Sequence, residues 1–139
     1  MTGSNQKKKK IAYISGTRAD FGLMTQILKR ISRSKKIELK IYATGMHLMP
    51  KFGETIKEVK KEFPGVISIK AIFETDDHVG LAGFIKKFST KLIDIFIKDR
   101  PDFVLILGDR PEALCVAMVC LYLKIPTGHI GGGDITFTI

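Results

Sequence analysis

FVLILGDRPEALCVAMVCLYLKIPTGHIGGGD, residues 103–134, decides the fold. Its first five residues, Phe103 to Leu107, form a short apolar run with Val104 and Ile106 among them, the pattern of a strand buried on both faces. Gly108-Asp109-Arg110 interrupts that run. From Pro111 to Leu123 the chain is apolar nearly all round, as in a buried helix, and a second short strand, Thr127 to Ile130, ends in Gly131-Gly132-Gly133. Strand, helix and strand make a βαβ unit, whose two strands run parallel because the crossover is long.

The ionisable and glycine residues of this unit gather at two places, Gly108 to Arg110 and His129 to Asp134, each just after a strand. In an open parallel sheet such strand ends lie side by side at the crevice where these folds bind ligands. Asp109, Arg110, His129 and Asp134 therefore fit one site. A plainer reading stands beside it: Asp109 caps the helix, Glu112 three positions on completes a capping box, and Pro111 sits in the first turn. On that reading His129 is a satisfied strand-end histidine and the glycines are a turn.

Working outward, residues 1–9 are a disordered basic tail that leads into a first strand, Ile11 to Ser15. Gly16 to Asp20 is a strand-to-helix loop, and the helix from Phe21 to about Arg33 carries Leu23, Ile27, Leu28 and Ile31 on one face. Arg18 stands at that helix N-terminus, where unpaired N–H groups favour an anion, although it also reads as a surface arginine; Asp20 reads as an N-cap. A second strand, Ile37 to Ala43, a loop holding His47 and a helix from about Phe52 to Phe63 follow. Val66 to Phe73 is predicted as a third strand. The acidic run Glu74 to His78 fits the capping of the next helix better than a metal site. That helix, about Val79 to Lys98, places Leu81, Phe84, Ile85, Phe88, Leu92, Ile95 and Phe96 at core spacing. The predicted order is βαβαβαβαβ, a Rossmann-like α/β three-layer sandwich with a mostly parallel sheet.

At 139 residues the chain is one domain, able to bury roughly two thirds of its unfolded surface without staples. No apolar run approaches the ~20 residues of a membrane span and the start lacks a signal-peptide core, which predicts a cytoplasmic protein without a membrane partner. Cys115 and Cys120 lie five apart on one helix, so they read as buried thiols, not a disulfide. The net charge of +9 invites a nucleic-acid reading. Its lysines, however, are dispersed over helix faces without interleaved aromatics, so the same charge fits a phosphorylated small molecule better.

The familiar phosphate loops are missing, since the first turn is SGTRAD and no Walker motif occurs. There is no nucleophile elbow, and neither cysteine lies in a strand-end loop. Arginines, carboxylates and histidines around an anion site remain.

GTRADFGLM at 16–24, TGMHLMPKFG at 44–53, GDRPEAL at 108–114 and HIGGGDIT at 129–136 together resemble the start of the hydrolysing UDP-N-acetylglucosamine 2-epimerases. These enzymes serve the biosynthesis of sialic-acid-like sugars and are similar to GT-B glycosyltransferases, with two Rossmann-like halves. The resemblance implies that residues 10–139 are the N-terminal domain, that the C-terminal nucleotide-binding domain is absent from this chain, and that the chain alone is inactive. It implies release of UDP from UDP-N-acetylglucosamine and hydration of the resulting glycal to N-acetylmannosamine, with no cofactor and no metal. Asp109 is then the acid/base carboxylate, His47, His129 and Asp134 complete the catalytic group, and Arg18, Arg110, Gly131 and Gly132 bind substrate and phosphate. Position 131 is glycine where many relatives carry glutamate. The expected partner is a sugar nucleotide, UDP- or GDP-linked, and not nucleic acid; a homo-oligomer is also expected. A GT-B glycosyltransferase domain and a non-catalytic nucleotide-binding module are the alternatives.

Overall fold

The computed structural model describes residues 7–133. Its elements are β1 Lys9–Ser15, α1 Arg18–Ser32, β2 Ile37–Ala43, two 3-10 turns at Gly45–Leu48 and Pro50–Phe52, α2 Ile56–Glu62, β3 Ile67–Ser68, α3 His78–Lys98, β4 Phe103–Leu107, α4 Pro111–Leu123 and β5 Thr127–Ile130. The strands form one sheet in the order β3-β2-β1-β4-β5, and each of its pairings is parallel.

Because side chains alternate along a strand, β1 feeds two cores. Ala12 and Ile14 join Val104, Ile106, Phe84, Phe88 and Val116 under α3 and α4. Tyr13 turns the other way, to Met24, Leu28, Ile41 and Val59 under α1 and α2. The result is a Rossmann-like three-layer α/β sandwich. Strand order reverses between β1 and β4, so the loops that follow them, at Gly16-Thr17 and Gly108 to Arg110, flank the crevice where doubly wound sheets take ligands.

Four boundaries differ from the sequence reading, those of β1, α1, β3 and α2, and so does the burial of α4; α1 starts at Arg18, not Phe21, because Thr17 caps it. β1 starts at Lys9, not Ile11, because Lys9 N–H bonds Lys36 O at 2.9 Å and the Lys10 N–H bonds the Asp102 carboxylate; the described part of the basic tail is therefore partly strand. The third strand is only two residues long. Beyond Ser68 the chain runs past the end of β2 and is held singly, by Ile69 N–H to Ala43 O, the Thr44 hydroxyl to Ile69 O, and Gly45 N–H to Ala71 O. The helix placed from Phe52 starts at Ile56, since Gly53 at φ 82° and Glu54 at φ 46° stop the preceding turn. Finally, α4 is not buried all round: Leu114, Met118, Leu121 and Tyr122 face outward. Cys115 and Cys120 are buried free thiols, both pushed up by burial.

Candidate functional site

The first loop is built around Asp20. Thr17 is the N-cap of α1, and its hydroxyl accepts the Asp20 N–H at 3.2 Å while the Asp20 carboxylate accepts the Thr17 N–H at 2.8 Å. Asp20 is thus the third helical residue of a capping box, not the cap itself. The same carboxylate accepts from Gly16 N–H, the Tyr13 hydroxyl and Ser15 Oγ. Burial first, and then the Asp20 charge, push the Tyr13 phenol well up, so it stays a donor.

His47 lies in the first 3-10 turn and is fully buried. Its Nε2 is 2.7 Å from Ser15 Oγ and its Nδ1 is 2.8 Å from Thr55 Oγ1. Burial lowers its pKa from 6.5, against the raising pull of Asp20. In the neutral ring the donors follow by elimination: Ser15 spends its proton on the carboxylate, Nε2–H donates to Ser15 Oγ, and Thr55 donates to Nδ1. The Phe21 ring meets the imidazole edge-on.

At the β4–α4 turn, Asp109 is exposed and makes no hydrogen bond among the described residues. It does not cap α4; that position is Arg110, which has no side-chain cap bond. Glu112 does not close a capping box either. It is buried, and it turns under the crevice, where a Cβ added at Gly16 would stand 2.3 Å from its Oε1 and one at Gly45 2.9 Å away. Its carboxylate holds Arg110, with Nε to Oε2 at 3.2 Å and Nη2 to Oε1 at 3.3 Å. Glu112 is the site residue that sequence reasoning missed. The close approach of two glycines to one carboxylate is the signal, and it exists only in three dimensions.

β5 brings His129 beside this turn, because β4 and β5 pair with Leu107 opposite Ile130. The His129 Nε2 is 2.5 Å from Gly108 O. A carbonyl only accepts, so Nε2 carries the proton and Nδ1 faces Gly132, where a Cβ would stand 2.3 Å away. Gly131 has φ 64°, a conformation that costs an L residue roughly 1–2 kcal/mol, so a glutamate would not sit here on this backbone without strain.

Asp109, Arg110, His129, Gly131 and Gly132 thus meet at one sheet edge. Arg18 does not join them: it pairs with Glu58 at 2.9 Å and lines a separate hollow between α1 and α2. His47 is connected only from beneath, through Gly45 against Glu112. Asp134 lies outside the described residues.

Next to Arg110 opens a cleft of about 530 Å³, floored by Met46, Met49, Phe73 and Leu81, with Phe52 and Pro111 on its walls. Its acidic rim is already engaged: Glu74 pairs with Lys87, Asp76 with Lys51 at 2.8 Å, and Asp77 caps α3 through Gly80 N–H at 2.8 Å. The Lys87 hydrogen bond holds Glu74 below the ordinary carboxylate range, and the Thr75 hydroxyl does the same for Asp77. An anchored guanidinium, an exposed carboxylate and a positioned imidazole can together bind an anionic group and move a proton beside it.

Comparison with known proteins converges. The family model described as UDP-N-acetylglucosamine 2-epimerase matches residues 29–138. The chain is 41% identical over 129 residues to the GDP/UDP-N,N'-diacetylbacillosamine 2-epimerase (hydrolyzing) of Campylobacter jejuni, covering 93% of this chain and 34% of that protein. It is 39% identical to the UDP-N,N'-diacetylbacillosamine 2-epimerase (hydrolyzing) of Legionella pneumophila, covering 94% and 35%. Among solved structures, the UDP-GlcNAc 2-epimerase of Neisseria meningitidis bound to UDP-GlcNAc superposes with a TM-score of 0.73 at 23% identity, over 93% of this chain and 34% of that one. At that identity the likeness speaks for the fold. The chain spans about a third of the length of the relatives it matches.

Proposed function

The chain belongs to the UDP-N-acetylglucosamine 2-epimerase family, and on that premise we propose that it supplies the N-terminal, sugar-handling domain of a hydrolysing sugar-nucleotide 2-epimerase. The observation that carries this reading is spatial. GDRPE and HIGGG, 15 or more residues apart in the chain, place Asp109, Arg110 and His129 at one edge of the sheet, with the loop of TGMHLMP against them through Glu112. Most uridine and diphosphate contacts fall to a second Rossmann-like half in this reading.

The substrate is a nucleoside diphosphate linked to a 2-acetamido sugar, with UDP-N-acetylglucosamine the parent compound. Its C2 proton is not acidic, so cleavage of the C1–O bond must precede or accompany proton loss. Arg110, fixed by Glu112, faces the departing diphosphate, and a preorganised cation there is worth most in a water-poor crevice. Asp109 stands by the ring to stabilise positive charge and then accept the C2 proton, leaving a glycal. Its exposure, and its having no hydrogen bond among the described residues, suit it to that work. Water then adds at C1 and a proton returns to C2 from the opposite face, giving the epimer and free nucleotide. His129 and Asp134 supply the second proton-transfer group, Gly131 and Gly132 give backbone room to the substrate, and Arg18 attracts the nucleotide phosphates from the α1 N-terminus. His47 acts from within the core, by fixing the first loop. The reaction belongs in the cytoplasm, where sialic-acid-like sugars are assembled.

The test uses a chimera in which residues 7–133 replace the matching segment of the Campylobacter jejuni relative, incubated with sugar nucleotide in heavy water. Proton NMR should show free UDP and a product deuterated at C2. Asp109→Asn should lower turnover by about 10³-fold while UDP affinity stays within a few-fold. Unchanged turnover, or sugar transfer to an acceptor without C2 exchange, overturns the assignment.

A further inference from the structure

We propose that the end of the sheet opposite the crevice is a docking surface for an anionic lipid bilayer, built from the basic segments that lead into β1, β2, β4 and β5. Residues 7–10 are four lysines, and residues 33–40, residues 98–102 and Lys124 supply the rest. These segments hold eleven basic and three acidic residues, a surplus of eight, while the whole chain holds 23 and 14 for a net charge of +9. Charge that reads as dispersed along the sequence is gathered by the fold at one pole.

Hydrogen bonds and ion pairs link one segment to the next across that pole. The Lys9 N–H bonds Lys36 O at 2.9 Å, and the Lys10 N–H bonds the Asp102 carboxylate at 2.8 Å. Lys10 Nζ pairs with Asp99, which Lys40 reaches at 3.5 Å. Arg100 donates to the carbonyls of Leu123 and Lys124 at 2.7 and 2.8 Å, which joins the approach to β5 to the rest. The three acids are thereby engaged within the pole: Asp99 by Lys10 and Lys40, Glu38 by Lys40, and Asp102 by the Lys10 N–H. The lysines at 7–9, 35–36 and 124 are exposed and form no ion pair among the described residues. Helix dipoles account for Lys98 in the last turn of α3 and for Arg100 on the α4 carbonyls, but not for the lysines that lead into β1 and β2.

Composition decides the partner. Nine of the eleven cations are lysines, which are compact, strongly hydrated charges. A protein interface depletes lysine at its core, and nucleic-acid sites add guanidinium forks or aromatic faces for the bases. No Phe, Tyr or Trp lies within these segments. An anionic leaflet asks only for charge held near a plane, and each lysine brought there strengthens binding by about fivefold. Ile97, 66% exposed and beside Lys98 in the last turn of α3, adds apolar surface that headgroups can cover. No helix of the described residues is long and apolar enough to cross a membrane, so the contact is made from the surface. Docking by this pole turns the far strand ends, with Asp109, Arg110 and His129, away from the bilayer and leaves them open to a dissolved substrate.

The test is flotation of the full chain with vesicles of phosphatidylcholine alone and of phosphatidylcholine with about a third phosphatidylglycerol, at ~0.1 M and ~0.5 M salt. The chain should float with the anionic vesicles only, and the higher salt should weaken binding by about tenfold or more. Two triple variants on separate segments, Lys7→Gln with Lys8→Gln and Lys9→Gln, and Arg33→Gln with Lys35→Gln and Lys36→Gln, should each weaken it by roughly 30-fold to 100-fold. A third, Lys57→Gln with Lys70→Gln and Lys86→Gln, makes the same change of charge away from the pole and should stay within about threefold of the parent. Short duplex DNA is the competing probe, and a duplex bound more tightly than the anionic vesicles would make the pole a nucleic-acid surface instead. No binding to anionic vesicles, equal binding to both vesicle types, or an equal loss in all three variants also overturns the proposal.

Discussion

The neutral His47 ring ties the first 3-10 turn to the end of β1 and makes that join sensitive to pH. Its pKa is lowered from 6.5 by burial, so the unfolded chain binds the proton first as pH falls. Stability is therefore full above about 6.5 and is lost progressively below it. The depressed carboxylates Asp77 and Asp99 act only beneath their ordinary 3.8 and leave the window from 6.5 to 5 to His47. Urea unfolding at stepped pH should show a midpoint that is flat from 8 to 7 and declines toward 5. His47→Gln should lower the plateau and remove that slope; a slope that survives the substitution would show that another group titrates. None of this seat is legible in the sequence, which places His47 only after a strand. Ser15 and Thr55, 32 and 8 positions away, become its partners through the sheet. Glu112 was hidden for the same reason, since in one dimension an acid just inside a helix start reads as a cap. Asp109, Arg110 and His129 were legible as neighbours, because two strand ends of one βαβ unit must lie together.

At the scale of elements, β2, β4, β5 and the whole of α4 are read from sequence at their observed ends, and α3 within a residue. β4 is a continuous apolar run, and α3 and α4 are bounded by a capping residue or a proline. Residues 44–73 were read poorly because their path depends on where β2 stops and on left-handed backbone at Gly45 and Gly53. The caps differ in kind as well. Asp77 serves α3 at the surface, whereas Asp20 gathers five donors, from Tyr13, Ser15, Gly16 N–H and both groups of Thr17, and so fastens β1, the crevice loop and α1 together. Asp20→Ala should cost about 3 kcal/mol or more in urea unfolding, since several donors to a charged group lose their acceptor. Asp77→Ala should cost clearly less. Equal losses would mean that the Asp20 network adds nothing beyond an ordinary cap.

For the whole molecule, α4 poses the remaining question. A helix apolar all round is expected to be covered all round, yet Leu114, Met118, Leu121 and Tyr122, at spacings of four, three and one, form an outward stripe, with Leu121 70% and Tyr122 82% exposed. Between Ala113 and Leu123 there is no charged residue, although the chain carries a net charge of +9. Two copies that meet along this stripe hide apolar surface where neither presents a charge, and a two-fold axis lets the same patch serve both. Self-association is accordingly expected, and its salt dependence has a definite sign: screening weakens the repulsion between two cationic bodies, so added salt should favour the dimer. Sedimentation equilibrium from ~10 µM to ~500 µM tests it. Leu121→Lys should shift the population to monomer without lowering the unfolding midpoint, because the side chain it replaces packs against nothing in the core. A monomer throughout that range, or a dimer indifferent to Leu121→Lys, would remove α4 as the contact. If the dimer forms, the strand ends stay clear, because the stripe lies on the side of α4 turned away from the sheet.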